Sequence, residues 1–169
     1  MFFKQLVLWC VLFMPLTEVL GEDDCYDYGH NKELMQTKVI RAEYWTRPLF
    51  SGSRTTWWNS KMRRKRYLNY IYSPWHAGVI VQLEKYVLGT KRFLIHKGED
   101  YNGFKSDTKI IKASCRNDLW SWFRYVEINS CNLNVDSFME AAYRWKKYHI
   151  DGPNCQSAAN RMYRMALNC

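Results

Sequence analysis

The sequence predicts an α+β domain in which an antiparallel sheet packs on two C-terminal helices and disulfides staple the whole. Three observations carry this. Runs rich in β-branched residues recur between residues 76 and 128, a glycine marks the bend between the first two runs, and two stretches of helical apolar periodicity follow Asp136.

Before the domain comes an address. Met1-Phe2-Phe3-Lys4 is a stem with one positive charge, and Leu6 to Leu16 is apolar apart from Pro15. Val19-Leu20-Gly21 then leads into the acidic Glu22-Asp23-Asp24. This is the order of a secretory signal cut after Gly21, and the apolar run is shorter than the ~20 residues a membrane span needs. The expected organisation is a signal at 1–21, an N-terminal extension packed on the domain at 22–74, and a core at 75–169.

Within the extension, a short helix is expected between Lys32 and Tyr44. Residues 55–75 interleave aromatic and basic side chains, including Trp57-Trp58 and Lys61-Met62-Arg63-Arg64-Lys65-Arg66. In the core, His76 to Leu83 reads as a buried strand, a loop runs through Leu88-Gly89-Thr90, and Lys91 to His96 reads as its hairpin partner. Lys109 to Lys112 is a third strand and Phe123 to Ile128 a fourth. Asp136 is the expected N-cap of a helix to about Tyr148, with Phe138, Ala141, Ala142 and Trp145 on one face. Asp151-Gly152-Pro153-Asn154 breaks the chain, and Cys155 opens a second helix whose apolar face is Ala158, Ala159, Met162 and Met165 or Ala166.

The charge balance and the cysteines narrow the function. A net charge of +9 attracts polyanions such as glycosaminoglycans without naming one. The run Lys61, Arg63, Arg64, Lys65 and Arg66 has three readings: a solvated loop, a polyanion-binding patch flanked by stacking aromatics, or a furin-type processing site. Removal of Cys10 with the signal leaves Cys25, Cys115, Cys131, Cys155 and Cys169, an odd number in an oxidising space. Cys25 and Cys169 could staple the two ends, and Cys115 with Cys131 could close a short loop for about 3 kcal/mol. That leaves Cys155 as the candidate free thiol. No zinc-type ligand spacing, phosphate-cradling glycine loop or serine elbow is present, and no metal or cofactor is required.

Cys155 in the first turn of a helix has the surroundings that lower a thiol pKa, and a strand histidine packed there could take its proton. His76-Ala77-Gly78-Val79 on one strand, His96 on the next, and Asn154-Cys155-Gln156 opening a late helix resemble the circularly permuted papain-like cysteine enzymes. That is the NlpC/P60-related superfamily that includes the lecithin:retinol acyltransferase-like proteins. The resemblance covers roughly Trp75 to Leu167 and implies Cys155 as nucleophile, His76 as general base and His96 as the polar third member. It departs from the acyltransferase branch at Gln156-Ser157, where an acidic residue and a histidine usually follow the cysteine, and in the longer His76–His96 separation.

The implied activity is a secreted thiol hydrolase or acyl transferase acting on a peptide, peptidoglycan or lipid acyl group. The rival is a binding protein with the same fold and a dead site, a toxin or defence factor acting through its basic aromatic surface. The bland readings are a structural Cys155, a strand-capping His76, an exposed strand-end His96 and a helix-end His149. His30 lies in a polar segment and carries no assignment.

Overall fold

The computed structural model describes residues 25–48, 75–98, 107–116, 118–149 and 152–169. The signal at 1–21 and the basic run Lys61 to Arg66 lie outside the described residues.

Asn31 caps a five-residue helix, α1 (Lys32–Gln36), its side chain accepting from the Leu34 N–H at 2.8 Å. The chain then turns into β1 (Val39–Pro48). The short helix expected between Lys32 and Tyr44 is therefore a single turn or so, and the rest is strand. β2 (Trp75–Val87) and β3 (Thr90–Lys97) form the expected hairpin. Leu88 and Gly89 both adopt positive φ, 51° and 78°, the turn that matches the right-handed twist of a two-residue hairpin. β4 (Thr108–Lys112), a 3₁₀ turn (Ala113–Cys115) and β5 (Ser121–Glu127) follow. The helices are α2 (Val135–Ala141) and α3 (Cys155–Leu167).

The five strands are antiparallel in the order β4-β3-β2-β1-β5. The segment expected to be an extension thus supplies an interior strand, because β1 pairs with β2 on one side and β5 on the other. One face of the sheet presents Ala42, Tyr44, Ala77, Val79, Val81, Phe93 and Ile95 to the helices. Against them α3 sets Ala158, Ala159 and Ala166, small side chains that let the helix lie close to the strands, with Met162 filling the space between. The other face buries a smaller group, Ile80, Leu94, Ala113 and Trp120, with Trp45 and Ile111 beside it.

α2 is shorter than expected. Asn134, not Asp136, is its N-cap, accepting from Ser137 N–H, and Asp136 in the first turn pairs with Arg144 at 2.6 Å. The helix stops because Tyr143 takes a left-handed φ of 58°, and Trp145 lies exposed instead of on a buried face.

Two disulfides close the structure, Cys25–Cys115 and Cys131–Cys169, and Cys155 is free. All four expected cysteines are bridged, but the pairing differs from the one expected. The N-terminal segment runs beside β4, with Tyr28 N–H bonded to Ile110 O and Ile110 N–H to Asp27 Oδ1, which brings Cys25 to the turn after β4. The spans closed are 90 and 38 residues, worth about 4–5 kcal/mol each in the chain-entropy account. Among the described residues, no helix is long and apolar enough to cross a membrane.

Candidate active site

Two of the three implied catalytic residues are in direct contact. His96 on β3 lies opposite Gly78 on β2, and His76 stands two residues back on the same face. Gly78 has no side chain to block the approach, so His76 Nε2 and His96 Nδ1 meet at 3.0 Å. Trp120, from the segment before β5, closes over both rings edge-on, with centroids 5.3 Å from His76 and 5.9 Å from His96.

This enclosure sets the protonation states. Burial lowers the His76 pKa to about 4, helped by the Arg47 guanidinium. Burial, then the neighbouring His76, Arg47 and Lys109, lowers His96 to about 3. Both imidazoles are neutral at pH 7, so the bond between them carries one proton. With that proton on His76 Nε2 and His96 Nδ1 accepting, Nδ1 of His76 is a base. That nitrogen holds no hydrogen bond among the described residues.

Cys155 is the first residue of α3. Asn154 accepts from the N–H groups of Gln156 and Ser157, and the Ser157 hydroxyl accepts from Asn154 N–H, a reciprocal capping box. The thiol is buried and receives hydrogen bonds from the N–H of Ala77, the Tyr148 side chain and the N–H of Gln156. Each favours thiolate, but burial outweighs them and pushes the thiol pKa up.

Registered pairing between β2 and β3 ends at Gly78–His96. One residue further toward the start of β2, the N–H of Ala77 bonds the sulfur. Successive strand side chains point to opposite faces, so Ala77 faces α3 while the His76 ring turns toward Trp120. The structure therefore joins His76 to His96 and seats Cys155 against the residue beside His76, with no hydrogen bond between the thiol and either imidazole.

Three contributors were not legible in the sequence. Trp120 shields the imidazoles. Tyr148 bonds the thiol. Lys97 is buried, with Nζ donating to Thr108 Oγ1 at 3.1 Å, Tyr143 O at 3.2 Å and Lys146 O. It holds the segment between α2 and α3 that carries Tyr148, and Asp107 accepts from Tyr148 N–H in the same place. His149 lies in the turn after Tyr148, its N–H bonded to Pro153 O.

A cavity of about 460 Å³ opens beside the thiol, with Ala77 and Gln156 in its wall. Among the described residues, no group of three His, Cys, Asp or Glu side chains could hold a metal ion. Compared with protein-family profiles, with characterised proteins and with solved structures, the chain matches none.

Proposed function

We propose that the chain is a secreted thiol hydrolase or acyl transferase on a permuted papain-like scaffold, acting on an amide or ester through Cys155, His76 and His96. One observation carries the reading: the buried His76–His96 pair stands on β2 one residue from Ala77, whose N–H bonds the Cys155 sulfur from the other face. The order of parts supports the scaffold, since the two histidine strands precede the helix that the cysteine opens and that helix packs on their sheet. The two disulfides support export.

The resting pair is uncharged, because burial raises the thiol and lowers the imidazole. Ring and sulfur stand on opposite faces of β2, so the proton leaves sulfur for His76 Nδ1 through one water as the S–C bond forms, and the carbonyl π pair moves onto oxygen. Collapse of that adduct re-forms the carbonyl and breaks the bond to the leaving group, which takes the proton from His76. Water or an acceptor alcohol or amine, deprotonated by His76, then attacks the thioester and releases Cys155. His96 holds the imidazole in the Nε2–H tautomer throughout.

Aryl ester turnover by the full secreted chain tests this. Cys155→Ala should abolish it, and His76→Gln should lower kcat about 10²–10⁴-fold, the usual worth of a general base. Turnover that survives Cys155→Ala would sink the mechanism. The lower limb of the pH–kcat/KM profile should fall near pH 4, following His76, instead of near 6.5.

A second reading rests on β5, where Trp122, Phe123 and Tyr125 are exposed. Arg41 lies 3.9 Å from the Tyr125 ring and Arg124 lies 5.3 Å from that of Phe123. Such a surface suits a binding or effector protein engaging a sulfated glycan. It requires heparin retention that weakens with salt and a biological effect indifferent to Cys155→Ala.

A further inference from the structure

The cavity beside Cys155 has walls of unequal character. Tyr44, Trp75 and Phe123 give it aromatic sides, Gln156 and Asn160 add neutral polar groups, and among the described residues Arg124 is the one charged side chain in its wall. Its volume of about 460 Å³ is in the range that encloses a small molecule (roughly 300–1,000 Å³).

Three wall residues tie it to the thiol. Ala77 and Gln156 donate N–H groups to the sulfur. The Tyr44 phenol is close enough to feel both Arg124 and Cys155 electrostatically. The Arg124 guanidinium is held in place by stacking, 5.2 Å from the Tyr44 ring and 4.5 Å from that of Tyr163. Arg41, Arg92 and Arg144 each pair with a carboxylate, whereas among the described residues no carboxylate pairs with Arg124. A stacked guanidinium with its fork open, on the wall of a cavity with no acidic side chain among its described lining residues, matches a carboxylate.

We infer that this cavity binds an apolar group ending in a carboxylate, its body between Trp75 and Phe123 and its carboxylate on Arg124. Resting on the thiol-enzyme reading above, the cavity is then the acyl pocket, and the preferred substrates are half-esters or half-amides of dicarboxylic acids.

Binding and turnover separate the two ideas. In the binding arm, 5-phenylvalerate and its neutral amide are titrated calorimetrically into the full secreted chain and into Cys155→Ala. The carboxylate should bind at least about tenfold tighter in both, since charge-assisted hydrogen bonds are roughly twice as strong as neutral ones. Arg124→Gln should reduce that preference to about twofold or less, and Arg124→Lys, which keeps the charge but not the fork, should retain part of it. Equal binding of acid and amide, or a preference that survives Arg124→Gln, overturns the inference.

In the turnover arm, the mono-nitrophenyl ester of glutaric acid is compared with nitrophenyl butyrate. A carboxylate preference in kcat/KM that Arg124→Gln removes and that requires Cys155 supports both ideas. A carboxylate preference in binding with no Cys155-dependent turnover sustains the pocket and sinks the enzyme. Cys155-dependent turnover without a carboxylate preference in either arm does the reverse.

Discussion

A methyl group on Gly78 would sit 3.0 Å from His96 Cβ, from the Ile95 carbonyl oxygen and from Leu94 Cδ1. Two of those neighbours are fixed by the sheet, so the imidazole pair would have to separate. Gly78→Ala should cost about 1–3 kcal/mol in urea unfolding, the usual penalty of overpacking. It should also lower turnover at temperatures where the variant remains folded. Gly89→Ala is the control: its φ of 78° strains any side chain, but nothing lies within 4 Å, so stability should fall with turnover unchanged. Lys97 makes the complementary case. Burial brings its pKa down to about 8, with the Asp107 carboxylate opposing, so it is mainly charged at pH 7 and saturates three oxygens. Lys97→Met orphans those acceptors at about 1–3 kcal/mol each. It should also slow iodoacetamide labelling of Cys155 below the thiol pKa, because Tyr148 loses its support. A merely structural Lys97 would leave the labelling profile of the folded fraction unmoved. His76, His96 and Cys155 were legible because their side chains advertise chemistry. Lys97 carries no such sign in the sequence, because its role depends on carbonyls about fifty residues away.

At the scale of elements, the capping box at Asn154 orients the N–H groups of Gln156 and Ser157, and Gln156 also serves the sulfur. Asn154→Ala should therefore cost about 1 kcal/mol of stability, as N-cap losses do. It should also shift the alkylation pH profile of Cys155 upward, whereas Asn168→Ala at the far end of α3 should leave that profile in place. β2, β3, β4 and α3 could be read from the sequence because β-branched runs, Gly89 and the break at Asp151-Gly152-Pro153 mark them locally. β1 could not. Its outward face carries Arg41, Glu43, Trp45 and Arg47, which resembles a solvated helix. In the structure, Glu43 is only 4% exposed and accepts from Arg92 at 2.7 Å and Trp45 Nε1 at 2.9 Å, with Arg41 at 3.4 Å. Charges balanced by a neighbouring strand erase the polar–apolar contrast on which strand recognition depends. The disulfide pairing was illegible for a related reason, since it follows from which strands lie side by side.

For the molecule as a whole, the buried imidazole pair makes stability depend on pH in a defined window. In the unfolded chain both histidines titrate near 6.5, whereas in the folded chain burial holds His76 to about 4 and His96 to about 3. Between those limits the unfolded state binds more protons, so stability falls as pH falls. Each histidine contributes a slope of about 1.4 kcal/mol per pH unit, and the pair about twice that, from just below pH 6.5 to near pH 4. Ordinary carboxylates titrate at the foot of this window, near pH 4, so chemical unfolding at pH 7, 6 and 5 isolates the effect. His96→Gln keeps a polar partner for His76 but removes one titrating group, and it should roughly halve the slope. A wild-type stability flat from pH 7 to 5 would mean that the rings are solvated and protonate freely. In that case Trp120 would not shield them, and the neutral resting state from which Cys155 is proposed to react would be lost.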